Sequence, residues 1–130
     1  ARGRGDVTSS AAIWHLGGHA YNRTMSTVAI SNGLLYTADL TGFVYCIDAA
    51  TGEKYWTYDT FAAIWGSVLV ADGKLYVGDE DGDVAVFRAG KKKELLSEVN
   101  MGSSIYTTPV AKNGVLYIAS RNTLFAIAGE

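Results

Sequence analysis

Val28-Ala-Ile-Ser-Asn-Gly-Leu-Leu-Tyr36 returns without a gap as Val68-Leu-Val-Ala-Asp-Gly-Lys-Leu-Tyr76, and again as Pro109-Val-Ala-Lys-Asn-Gly-Val-Leu-Tyr117. Anchored on Gly33, Gly73 and Gly114, the period is 40 and then 41 residues. Each copy sets an Asn-Gly or Asp-Gly pair between β-branched, aliphatic and aromatic residues. Such pairs tolerate the two positive φ angles of a type I′ turn, so each copy reads as a β-hairpin.

Outward from these turns the rest of each repeat resolves into strands. The first arm of the hairpin is strand a and the second is strand b, over 34–39, 74–79 and 115–120. A second turn follows at Leu40-Thr41-Gly42, Glu80-Asp81-Gly82 and Arg121-Asn122, and leads to strand c over 43–48, 83–88 and 123–128. Strand d is expected near 54–58 and 94–99, while the third repeat stops before its own. Ser10-Ala-Ala-Ile-Trp-His-Leu16 carries Trp14 much as Lys54-Tyr-Trp-Thr-Tyr58 carries Trp56, so the chain reads d-abc three times over. Repeats of this length are expected when each is one four-stranded blade of a β-propeller. The predicted fold is therefore all-β, with about three antiparallel four-stranded blades. A flexible segment over 1–9 precedes repeats at 10–53, 54–93 and 94–130. Propellers close with roughly four to eight blades, so this chain is expected to be an arc. Further blades of a longer chain or a second copy would complete it, and a six-bladed dimer is the simplest case.

Composition agrees with a folded unit that attracts no polyanion. Of 130 residues 48% are hydrophobic and 18% charged, and the formal net charge is −2. That is too apolar for a disordered tail and offers no basic field for a phosphate backbone, which excludes nucleic acid as the expected partner. The one basic run, Lys91-Lys92-Lys93, falls in a loop and reads as a solvated tip. No stretch approaches the roughly 20 apolar residues of a membrane-spanning helix, and the start has no signal-peptide pattern. The single cysteine, Cys46, excludes an intrachain disulfide and any zinc site of paired cysteines. Its apolar setting, Phe43-Val-Tyr-Cys-Ile47, is that of a small buried hydrophobe.

Cys46-Ile-Asp-Ala-Ala-Thr-Gly-Glu-Lys-Tyr-Trp56 resembles the repeat signature of the pyrroloquinoline-quinone-like (PQQ-like) propeller family, A-x-D-x-x-T-G-x-x-x-W. Asp48, Thr51, Gly52 and Trp56 fill its positions, with Cys46 at the small leading one. Asp48 and Thr51 suit hydrogen bonding to the backbone of a tight c-to-d turn, Gly52 suits a positive φ, and Trp56 suits packing between blades. Trp14, Gly33, Gly73 and Gly114 complete the expected structural set. Counting 40 residues on from Trp56 reaches Leu96, so the second repeat lacks the signature tryptophan.

The resemblance implies an extracytoplasmic location, in the periplasm or cell envelope. It divides the functional reading between non-catalytic propellers and quinone-dependent alcohol dehydrogenases, since fold does not fix activity. Dehydrogenases of this family are expected to hold an adjacent cysteine pair and a calcium site, and this chain has no such pair. The expected function is a non-catalytic binding or scaffolding platform for a protein or carbohydrate. The alternative is a fragment of a PQQ-dependent oxidoreductase, and only under it would PQQ and calcium be cofactors.

Three sets of residues stand out from the repeat. Met25, Trp65 and Tyr106 recur just before strand a, where a propeller places the mouth of its channel, and Arg23 could add a cation beside them. They form the expected ligand-binding rim, against the plainer reading that they plug the channel or wedge blades. Asp79, Asp81 and Asp83 have the acidic density of a calcium loop but not the spacing of an EF-hand, and their Asp-Gly turn is expected in any case. His15 and His19 flank Gly17-Gly18, which opposes a shared helical face. Arg4-Gly5-Asp6 reads as terminal linker, and no motif supports a catalytic residue.

Overall fold

The computed structural model describes Thr24 and residues 27–128. Trp14, His15, His19, Arg23, Met25, the Arg4-Gly5-Asp6 tripeptide and the expected first d strand lie outside the described residues. The described residues form three antiparallel sheets and no helix, as the repeat implies. The first contains β1 (Ala29–Ser31), β2 (Leu34–Ala38), β3 (Phe43–Asp48) and β4 (Lys54–Asp59). The second contains β5 (Leu69–Ala71), β6 (Lys74–Gly78), β7 (Asp83–Arg88) and β8 (Leu95–Asn100). The third contains only β9 (Val110–Lys112), β10 (Val115–Ala119) and β11 (Leu124–Ala128). Strands pair in chain order within each sheet, so β4 belongs with the strands before it. The d-abc phase of the repeat thus runs one strand out of step with the hydrogen-bonded blades.

The a-to-b turns show why Asn-Gly and Asp-Gly stand there. Asn32, Asp72 and Asn113 have φ of 52°, 52° and 53°, and the glycines after them 76°, 71° and 75°. Two successive left-handed residues are what a type I′ turn needs. The c-to-d turn of the first blade is fastened by Asp48, whose Oδ1 accepts from the N–H groups of Ala50 (2.8 Å) and Thr51 (2.9 Å). Its Oδ2 accepts from the Tyr55 hydroxyl at 2.8 Å, and Gly52 supplies a φ of 80°.

The equivalent turn of the second blade is one residue longer, because Asp48 N–H reaches Glu53 O whereas Arg88 N–H reaches Glu94 O. This moves the following strand. Trp56 pairs with Cys46 across β3 and β4, and the matching partner of Val86 across β7 and β8 is Ser97. The structural counterpart of Trp56 is therefore Ser97 and not Leu96, correcting the count along the sequence. The longer turn also reaches back to the first blade. Lys91 and Lys93 stay exposed yet lie over the rings of Tyr55 and Tyr58 at 5.3 and 5.8 Å, and Lys93 Nζ donates to Thr57 O. The basic run is a clasp between blades as well as a solvated tip.

The core lies between blades. Trp56 is 8% exposed and stacks on Phe87 at 5.2 Å, while Tyr58 meets the same ring edge-on at 4.9 Å. Its indole N–H donates to Gly90 O at 2.9 Å, so the polar end of the wedge is satisfied as well as its apolar body. Cys46 Sγ–H shares that carbonyl at 3.4 Å. Between the second and third blades the buried cluster is smaller, centred on Val84, Ile105 and Ile118.

Candidate functional site

The site is assembled where d-to-a loops meet b-to-c turns. Loop 60–67 is tied to the first blade by Thr60 N–H to Gly42 O, and to the second by Glu80 N–H to Ala63 O. Loop 101–108 repeats the pattern through Met101 N–H to Gly82 O and Arg121 N–H to Ser104 O. Small residues permit these welds. A Cβ on Gly42 would stand 2.5 Å from Ala62 O, and one on Gly82 would stand 2.6 Å from Ser103 O. Gly66 lies so close to the next loop that a Cβ would meet Thr107 O at 2.3 Å.

One step further along, repeat-equivalent hydroxyls bridge the starts of the inner strands. Thr27 donates through its N–H and Oγ1 to Ser67 Oγ (2.7 and 2.8 Å), and Ser67 N–H donates to Thr108 Oγ1 at 2.7 Å. Just before this chain of bonds stand Trp65 and Tyr106. The structure brings their rings together edge-to-face at 6.2 Å, 39% and 45% exposed. Trp65 Nε1–H donates to Glu80 Oε1 at 2.7 Å, which fixes the indole and sets a carboxylate beside it. Glu80 comes from the b-to-c turn and carries no repeat signal, so its part in the site is visible only in three dimensions. Such a patch can receive apolar or aromatic side chains on its rings and a cation at its carboxylate.

The acidic turn behaves differently from an ion cage. Asp79 is buried, and its Oδ1 accepts from the N–H groups of Asp81 (3.0 Å) and Asp83 (3.1 Å). Burial pushes its carboxyl up to about 6, the neighbouring charges of Asp83 and Asp81 add to the rise, and these hydrogen bonds oppose it. Asp83 Oδ1 accepts from Asn100 Nδ2 at 3.0 Å. Among the described residues no three His, Cys, Asp or Glu side chains are grouped to hold a metal ion. Asp39, the counterpart of Asp79, accepts from the N–H groups of Thr41, Gly42 and Phe43 and from the Tyr45 hydroxyl. These two aspartates organise turns.

Cys46 is fully buried, and desolvation pushes its thiol up to about 11. Tyr36, beside it, is pushed up to about 12, first by burial and then by Cys46. A thiol so protonated in a closed core is a packing group and not a nucleophile.

The fold is that of a partial β-propeller of the PQQ-like class, built from antiparallel blades joined by d-to-a loops. The family model described as outer membrane protein assembly factor BamB matches residues 4–94, and the chain belongs to that family. Among solved structures, BamB from Moraxella catarrhalis matches at 19% identity and a TM-score of 0.68, over 79% of this chain and 30% of that one. Quinohemoprotein alcohol dehydrogenase ADHIIG from Pseudomonas putida HK5 matches at 23% identity and 0.71, over 82% of this chain and 19% of that one. The computationally designed Ika8 protein matches at 15% identity and 0.66, over 78% and 32%. No curated protein sequence matches. The chain thus spans from about a fifth to about a third of the length of these structures.

Proposed function

We infer that this chain is an arc of a non-catalytic propeller in the cell envelope, and that its Trp65–Tyr106 rim binds a protein partner. The observation that carries this reading is the exposed aromatic pair, held edge-to-face and braced by Glu80 on loops welded to rigid blades. Preorganised aromatic side chains bind at low entropic cost, and fixed surroundings make them suitable anchors for a partner's side chains. The family's description as an assembly factor for outer membrane proteins suggests the probe: a urea-unfolded outer membrane β-barrel polypeptide, diluted into the purified chain. Fluorescence anisotropy is expected to report saturable binding that weakens at least tenfold in a Trp65→Ala, Tyr106→Ala double variant. Equal affinity in the variant would remove the rim from the reading.

The likeness to a quinohemoprotein alcohol dehydrogenase suggests a second reading, part of a PQQ-dependent oxidoreductase. The described residues do not fit that cofactor set: Cys46 is single and buried, and no acidic cluster is gathered for calcium. Added PQQ and calcium are expected to leave the chain's thermal midpoint unchanged, and a saturable rise would restore this alternative.

A further inference from the structure

The two inter-blade spaces are built from the same positions, and only one of them is filled. In the first, the Trp56 indole sits among Tyr36, Cys46, Tyr58 and Phe87. Carried across by strand register, those positions become Ser97 for Trp56, Tyr76 for Tyr36, Val86 for Cys46, Val99 for Tyr58 and Ile127 for Phe87. All five line a cleft of about 390 Å³ between the second and third blades. Its outer wall, β8, faces the cleft through Leu96, Ser97 and Val99. Ile118 forms part of the floor and is itself buried.

Three of the five replacements, Trp56 by Ser97, Tyr58 by Val99 and Phe87 by Ile127, remove volume, and the largest loss is a whole indole. Tyr76 keeps the volume of Tyr36, and Val86 slightly exceeds Cys46. The facing sheets stay apart because the welded loops and the inner strands set their spacing, so the missing ring leaves a slot and not a collapsed contact. The slot is mostly apolar, with Ser97 at the register position of Trp56, no carboxylate in its lining and Lys74 as its charged lining residue. We propose that the cleft between the second and third blades binds a small, flat, uncharged aromatic molecule of indole size. Such a ligand takes the place that the Trp56 side chain fills in the first inter-blade space. Its ring lies between the β7–β8 wall and the β10–β11 wall, and a ring N–H or hydroxyl meets Ser97. This site is separate from the Trp65–Tyr106 rim and stands whether or not that rim binds a protein.

The test titrates indole into the 130-residue chain by calorimetry, with methyl-resolved NMR to locate it. The expected result is saturable binding at one site, with shifts centred on the methyl groups of Val86, Ile118 and Ile127. Ser97→Trp places the ring covalently in the slot, and is expected to weaken indole binding at least tenfold while raising the thermal midpoint. Should that variant fold poorly, Ile127→Phe narrows the slot from the opposite wall and is expected to give the same loss of binding. Three outcomes overturn the proposal: no saturable binding, shifts centred on Trp65 and Tyr106, or undiminished affinity in a folded variant that fills the slot.

Discussion

At the scale of single residues, burial decides what each reactive-looking group can do. Asp79 is the clearest case, because its folded pKa of about 6 lies above the ordinary carboxylate value of 3.8. The folded chain therefore binds the proton more tightly than the unfolded chain between about pH 4 and 6. Stability from this group is fully present below the unfolded value and is lost as pH rises through the folded one. Its size is on the order of 3 kcal/mol. Asp79→Asn is expected to raise the thermal midpoint at pH 7 and to flatten its pH dependence across that window, as followed by circular dichroism. Asp48 titrates outside the window, since the Tyr55 hydroxyl and its own turn's N–H groups hold it below the usual value. Cys46 gives a second prediction. A thiol raised to about 11 and wholly buried should resist a thiol-reactive dye at neutral pH and react only on unfolding. Its apolar role was legible from Phe43-Val-Tyr-Cys-Ile47 alone. The burial of Asp79 was not, because Asp79-Glu-Asp-Gly-Asp83 looks equally acidic throughout and only the pleat of the turn sends the first carboxylate inward.

At the scale of elements, the sequence announced strands and turns through local chemistry but concealed how blades are joined. The Asn-Gly and Asp-Gly pairs gave the hairpins because a type I′ turn is a two-residue event. The one-residue insertion at Gly90-Lys91-Lys92-Lys93 was hidden, since a count of 40 still lands on the apolar Leu96. Likewise Trp65 and Tyr106 were visible as a recurring position, whereas Glu80 became part of their site only through the loop-to-turn weld. That weld predicts where backbone space is tightest. Gly66 has no positive φ to explain it, and a Cβ there would drive into the Thr107 carbonyl of the next loop. Gly66→Ala is expected to cost about 1–3 kcal/mol, as for other overpacked sites. Hydrogen exchange at Ser67 N–H, which donates to Thr108, should quicken in that variant while exchange in β2 and β3 stays unchanged. Trp56→Ala removes the wedge from the first inter-blade space, and by analogy with other buried aromatic truncations should cost roughly 3–5 kcal/mol in chemical denaturation.

At the scale of the whole molecule, the described sheets differ in strand number. The first two have four strands and the third has three, so β11 ends its sheet with one side unpaired among the described residues. That strand is mostly exposed, with Leu124 at 72% and Ile127 at 41%. A strand edge with apolar side chains and free backbone groups is a template for another strand, and propellers remove such edges by supplying the outermost strand from elsewhere. The chain on its own is therefore expected to associate, using a strand from a second copy to cover β11. Light scattering across a concentration series should show masses rising above 13.9 kDa toward about twice that value. Leu124→Lys places a charge on the edge strand, a device that natural sheets use against pairing, and should shift the midpoint of association at least tenfold to higher concentration. A mass fixed at 13.9 kDa throughout would mean that β11 is left for blades of a longer chain and not for a copy of this one. Association untouched by Leu124→Lys would mean that copies meet through another face.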